Sequence, residues 1–147
     1  MTAAEPIQLL GLKGVVEIKR WLEATTWLDL PANSYENEVQ CTVQTCGGPK
    51  LFDLKGRFRG SGGNRRDVVV ECKKYSVVGV QAGEFKRFLA IAYSHTVWYM
   101  NTCSQDPGLI FFWVTSHPFS QTKWSQLRSA QYLKESVLDS NNSDLLP

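Results

Sequence analysis

The sequence predicts an α/β fold built on one mixed sheet flanked by helices. Three observations predict it. Apolar residues recur at helical spacing in two segments, 13–28 and 82–94. Residues 38–46 alternate, with Val39, Cys41 and Val43 on one side and Gln40, Thr42 and Gln44 on the other. Two further strand-like runs, 50–58 and 66–75, flank the glycine-rich connection RGSGGN at 59–64.

Each element has a local reason. In KGVVEIKRWLEATTWL the apolar positions Val15, Ile18, Trp21 and Leu22 predict a helix, broken by Pro31, Asn33 and Ser34. Gly47, Gly48 and Pro49 turn the first strand, 38–46, into the second, 50–58. After the third, 66–75, Phe85, Phe88, Leu89 and Ala92 mark one face of a helix over 82–94. TVWYMN (96–101) reads as a fourth strand and GLIFFWVTS (108–116) as a fifth, joined at Asp106, Pro107 and Gly108. Ser120 reads as the N-cap of a last helix carrying Trp124, Leu127 and Leu133 inward. The expected order is α-β-β-β-α-β-β-α, one domain over 1–138 with a frayed polar tail at 139–147. There are no internal repeats.

Composition narrows the class. At 147 residues, 43% hydrophobic and 20% charged, the chain resembles ordinary globular proteins, with enough length for a sizeable core. No apolar run approaches the ~20 residues that span a bilayer. The start MTAAEPIQLL lacks the basic and apolar regions of a signal peptide, so the expectation is no membrane and a cytoplasmic location. Cysteines at 41, 46, 72 and 103 contain only one close pair, so buried thiols are expected rather than zinc or disulfides. His95 and His117 read as surface or capping residues. Trp21, Trp113 and Trp124 occupy core-type positions, and Trp27 and Trp98 are candidates for stacking on bases.

Net charge is only +2, but its distribution is uneven. Residues 50–74 carry eight basic side chains, Lys50, Lys55, Arg57, Arg59, Arg65, Arg66, Lys73 and Lys74, against Asp53, Asp67 and Glu71. Such a basic excess around isolated acids suits a polyanion-binding surface.

The third strand, RDVVVECKKY, poses the central question. Glu71 and Lys73 share a face of an otherwise apolar strand, where charge is costly unless paired or bound to metal. If the preceding hairpin turns about Gly62, Asp53 falls opposite Glu71, Phe52 opposite Cys72 and Leu54 opposite Val70. Asp53, Glu71 and Lys73 then converge. Two carboxylates can hold Mg²⁺, with phosphate oxygens and water completing its shell, and the lysine can orient water or meet developing phosphate charge. The alternative is an ion pair of Lys73 with Asp53 or Glu71.

The pattern FDLKGRF…DVVVECKKY resembles the PD-(D/E)xK phosphodiesterase superfamily, the restriction-endonuclease-like nucleases. Asp53 matches its first acid and Glu71-Cys72-Lys73 its acid-x-lysine, although Phe52 replaces the usual proline. Within that superfamily the chain is similar to Mrr-like endonuclease domains. The features are a Gly14-to-Glu17 opening in the first helix, VVGVQAGEFKRF after the lysine-bearing strand, and the WVTSHPFSQTKWSQL end.

The resemblance implies an αβββαβ core, placed over residues 13–101, and a metal-dependent endonuclease that hydrolyses DNA with Mg²⁺-activated water, Mn²⁺ being an alternative ion. It implies Asp53, Glu71, Lys73 and Glu17 as catalytic residues, with Asp53, Glu71 and Glu17 holding the metal. Glu36 and Glu38 are weaker candidates for the role of Glu17. Lys55, Arg57, Arg59, Arg65, Arg66, Lys74 and Gln81 are the candidate DNA contacts. The implied setting is restriction or phage defence, as a homodimer or within a larger complex. The competing expectation is a non-catalytic nucleic-acid-binding or assembly module of the same fold.

Overall fold

The computed structural model describes residues 4–60, 66–73, 81–115 and 124–146. They fall into two compact units, one within 1–42, 51–74 and 108–115, the other within 43–50, 75–107 and 116–147.

The first unit is a helix laid on a mixed sheet. Helix α1, Ala4–Thr25, turns Val15, Ile18 and Leu22 toward the sheet. It ends where Thr25 and Thr26 turn their hydroxyls back onto the carbonyls of Trp21 and Leu22. Strand β1, Leu28–Asn33, follows at once. The sequence pattern extends the helix to Leu28, but Leu28 is the first, fully buried residue of β1.

Strand β1 is an edge strand and therefore tolerates Pro31. Its pairing with β4, Leu54–Phe58, is interrupted by a bulge between Asp29 and Ala32. There the Leu30 N–H donates 2.8 Å to Glu23 Oε1 of α1. Asn33 closes the next turn, its side-chain oxygen accepting from the N–H groups of Tyr35 and Glu36, both at 3.0 Å. A single helical turn, α2, Glu38–Cys41, takes the place of the start of the expected 38–46 strand. Only Thr42–Thr45 (β2) is extended there, paired with β3, Gly48–Leu51. The expected 50–58 strand is thus broken at Phe52–Asp53 into β3 and β4.

Strand β5, Asp67–Lys73, lies at the sheet centre, antiparallel to β4 and parallel to β6, Ile110–Thr115. The order is β1-β4-β5-β6. Alternation along β5 divides the sheet's two faces. Val68, Val70 and Cys72 join Leu54, Leu28, Leu30 and the α1 residues in the core, with Ile110, Phe112 and Val114 against them. Val69, Glu71 and Lys73 point the other way.

In the second unit α3, Gln81–Cys103, is one continuous helix, so residues 96–101 are helical and not the expected fourth strand. No breaker separates 94 from 101. Thr96 and Thr102 satisfy their hydroxyls on the carbonyls four residues back, at 2.9 and 2.8 Å. The helix stops at Ser104, whose φ of 54° leaves helical space. Helix α4, Ala130–Leu138, is capped by Ser129, not Ser120, which lies outside the described residues with His117.

The tail beyond it is not frayed. Residues 140–145 form a 3-10 turn in which Leu145 and Asn142 are buried. Asn142 Nδ2 donates 2.7 Å to Ser136 O, and Ser94 Oγ donates 2.6 Å to Leu145 O. Arg87 grips Asp144 with both nitrogens, holding that carboxyl down at about 2. His95, expected to be a surface or capping residue, is buried, its Nδ1 2.7 Å from the backbone Gln44 O. Trp21, expected inside, is 58% exposed. All four cysteines are free, but only Cys41 is fully buried.

The bulge in β1 makes a specific demand on β4. A Cβ at Gly56 would run into Asp29 O and lie 2.7 Å from Leu30 Cα. Both are backbone, which cannot swing aside. Gly56→Ala is expected to destabilise by about 2–3 kcal/mol, or roughly 5–10 °C in a thermal melt. Gly83→Ala in α3, where the added methyl meets nothing beyond its own helix turn within 4 Å, serves as the control and is expected to be neutral or to stabilise by up to about 1 kcal/mol.

Candidate functional site

The register expected for the β4–β5 hairpin is present: Leu54 pairs with Val70, Lys55 with Val69, Gly56 with Val68 and Arg57 with Asp67. Asp53, expected opposite Glu71, instead stands one residue before the regular ladder. Its backbone N–H donates 3.1 Å to Val70 O, and its carbonyl accepts from Ser34 N at 2.9 Å. Its carboxylate Oδ2 accepts the Cys72 N–H at 2.7 Å. Asp53 therefore replaces a strand partner just where β4 leaves β5. Phe52 departs from the expected pairing with Cys72: its N–H bonds Cys41 O at 3.0 Å, and its ring lies 5.6 Å from Phe111.

Glu71 and Lys73 follow on β5, two residues apart on one face. Lys73 Nζ lies 2.8 Å from Glu71 Oε1. Alternation along β6 puts Phe111, Trp113 and Thr115 on this same face, with Trp113 in register with Glu71 and Thr115 with Lys73. The Lys73 ammonium lies 5.8 Å from the centroid of the Trp113 ring.

Electrostatics follow from this placement. Burial pushes the Asp53 carboxyl above its ordinary range, against the Cys72 N–H and the Lys73 charge, which pull it down. Burial, with the carboxylates of Asp53 and Glu71, pushes the Cys72 thiol far up, favouring the neutral thiol. Burial and the Asp53 charge raise the Tyr35 hydroxyl, which packs against the backbone of Gly11 in α1.

Glu17 is not brought to this group. It lies about 200° around α1 from the core-facing Val15 and is exposed, whereas Glu71 projects from the sheet face opposite α1. Glu36 and Glu38 are exposed as well. Among the described residues no group of three or more His, Cys, Asp or Glu is placed to hold a metal ion. Asp53 and Glu71 are hard oxygen donors on one strand pair, a set that suits Mg²⁺, which takes one or two protein carboxylates and draws its other ligands from water and phosphate.

The basic candidates separate. Arg57 and Arg66 are exposed, Lys55 is half-buried, and Arg59 is 3.5 Å from Asp29. Arg59 lies six residues from Asp53 along β4, about 20 Å away at the opposite end of the hairpin. It lines an open cavity of about 770 Å³ with Gly60, Trp27 and residues 24–26, and Trp27 is 77% exposed. Arg65 and Lys74 lie outside the described residues. Gln81, the first residue of α3, is buried in the second unit, and neither its amide oxygen nor its amide nitrogen finds a partner among the described residues.

Tyr35 and Trp113 are the neighbours that sequence reasoning missed. For Trp113 a signal exists, because in IFFWVT it shares the alternating face of Phe111. Its partner strand, and hence its place beside Glu71, is not in the local pattern. For Tyr35 there is none.

Because folding raises the Asp53 pKa, the folded chain binds this proton more tightly than the unfolded chain. Ionising Asp53 therefore costs stability as pH rises from the ordinary carboxylate value, ~3.9, through the raised one. Asp53→Asn, which can still accept the Cys72 N–H, is expected to melt above wild type at pH 7, with the gap closing below about pH 4. A lower melting point at pH 7 would mean that the charge on the accepting oxygen outweighs the burial. Comparisons with protein-family models, curated proteins and solved structures found no match to this chain.

Proposed function

We propose that the chain is a metal-dependent phosphodiesterase of the restriction-endonuclease-like type, acting as an endonuclease on DNA. The observation that carries this reading is the anchoring of Asp53 to the Cys72 N–H, on the strand that also presents the Glu71–Lys73 pair. With α2 and the β2–β3 pair between β1 and β4 left aside, the chain order α1, β1, β4, β5, α3, β6 supports it, being α-β-β-β-α-β with β5 and β6 parallel. The last strand of that order is β6, not the 96–101 segment on which the sequence pattern had placed it.

In this reading Asp53 and Glu71 hold Mg²⁺, which when bound supplies positive charge to the scissile phosphate and acidifies a water. Asp53 is held in place by backbone bonds at its N–H and C=O and by the Cys72 N–H at its carboxylate. Lys73 is kept beside Glu71 as the cation that meets charge developing on the phosphate. Arg57 and Arg66, at the other end of the hairpin, meet the DNA backbone away from the cleavage point. One such site cuts one strand, so a double-strand break needs a second copy or a second binding event.

The Lys73–Glu71 ion pair also favours the second reading, a nucleic-acid-binding or assembly module in which these charges only neutralise each other.

Supercoiled plasmid incubated with the protein in Mg²⁺ or Mn²⁺ separates the two. Nicking that EDTA abolishes, and that falls at least 100-fold in Asp53→Ala and in Lys73→Ala, is the expected result. Metal-independent binding with no nicking supports the module. A cation at tenfold its Kd adds about 1.4 kcal/mol of stability, roughly 3–5 °C, to wild type and none to Asp53→Ala. For DNA binding, the double charge reversal Arg57→Glu/Arg66→Glu is expected to flatten the slope of log affinity against log salt by about 1.8, two phosphate contacts at 0.9 each. An unchanged slope removes these arginines from the interface.

A further inference from the structure

We propose that Trp113 is a positioning residue that holds the Lys73 ammonium in place over the indole face, beside Glu71. The inference rests on the phosphodiesterase reading of the site and adds to it a residue that the acid-x-lysine pattern does not contain.

The geometry comes from the parallel pairing of β5 and β6. Glu71 and Trp113 are Cα partners, so their side chains leave the sheet side by side on the face opposite α1. Lys73, one pleat further along, turns back over both of them: its Nζ is 2.8 Å from Glu71 Oε1 and 5.8 Å from the Trp113 centroid. A lysine has a flexible four-carbon stem and loses about 2 kcal/mol of rotamer entropy when fixed. The Glu71 carboxylate restrains the end of that stem in one direction. The ring restrains it in another.

The two restraints differ in kind. Glu71 takes an N–H, and so imposes a donor direction. An aromatic face attracts the whole ammonium charge through its quadrupole, and so imposes a position without a direction. Among side chains indole is the strongest partner of this sort. The half-buried ring also displaces water from one side of the ion pair, and charge interactions strengthen where water is excluded. Such a wall favours a lysine whose charge must stand ready at one point, the requirement for stabilising a phosphate whose charge grows during reaction.

The test combines a spectroscopic signature with kinetics. A methylene held over an indole face resonates upfield through the ring current. In ¹H–¹³C spectra the Lys73 ε-CH₂ signal, assigned by its loss in Lys73→Ala, is expected upfield of the other lysines in wild type. It is expected to stay partly upfield in Trp113→Phe and return to the bulk lysine position in Trp113→Leu. In Mg²⁺-dependent plasmid nicking, Trp113→Leu is expected to lower kcat about tenfold with KM within twofold of wild type. Trp113→Phe is expected to stay within threefold in both.

A wild-type Lys73 signal at the bulk position overturns the proposal whatever the kinetics, and needs no Trp113 variant to fold. Equal losses in kcat for Trp113→Phe and Trp113→Leu, or a loss confined to KM, also overturn it. If wild type nicks nothing in either metal, the phosphodiesterase reading falls, and the Lys73 signal still decides whether Trp113 holds the ammonium.

Discussion

The register between β4 and β5 is the constraint on which the rest of the candidate site depends. Side chains alternate along a strand with a period of two, so a slip of one residue would move every β5 side chain to the other face. Glu71 and Lys73 would then enter the apolar layer under α1, and Val68 and Val70 would leave it. Burial of Val68 and Val70 against Leu28, Leu30 and Leu54 penalises that slip, because each buried aliphatic side chain contributes roughly 1.5–3 kcal/mol. The apolar face of β5 thus sets where its charged face points.

Asp53 adds a second constraint to the first. Its N–H, C=O and carboxylate bind three different residues, Val70, Ser34 and Cys72. A half-buried carboxylate that accepts a backbone N–H is oriented before any ligand arrives, and preorganised charge of this kind is what a site for cations or phosphates requires. The cost shows in its raised pKa. Perturbed groups of this kind concentrate at functional sites, and the Lys73 charge acts on this one, pulling its pKa down against burial.

The basic hairpin and the carboxylates occupy opposite ends of the same two strands. The rigid pairing of β4 and β5 fixes the separation, so a polyanion touching both Asp53 and Arg57 must extend over about 13 Å of the sheet. The balance of charge there is less one-sided than composition suggests. Arg59 is paired with Asp29, and Arg57 stands opposite Asp67. Basic residues counted along a sequence are not basic residues counted on a surface.

What the sequence by itself determined is what depends on near neighbours and on the pleat. Alternation in DVVVEC and the glycine-rich connection before it sufficed to place Leu54 opposite Val70, and with that to bring Asp53 to the strand carrying Glu71 and Lys73. Helical spacing sufficed for the middle of α1 and the start of α3. Tertiary structure decided the rest. Residues 96–101 read as a strand because TVWYM is β-branched and aromatic, yet they continue α3, since propensity yields to an uninterrupted helical hydrogen-bond ladder. LDLPAN became a strand despite its proline because it lies at a sheet edge, a position that only the assembled sheet defines. Glu17 left the site because helix phase follows Val15, Ile18 and Leu22. Trp113 joined it because β6 pairs in parallel beside β5 after a long crossover, and no short-range pattern specifies the register between strands nearly forty residues apart.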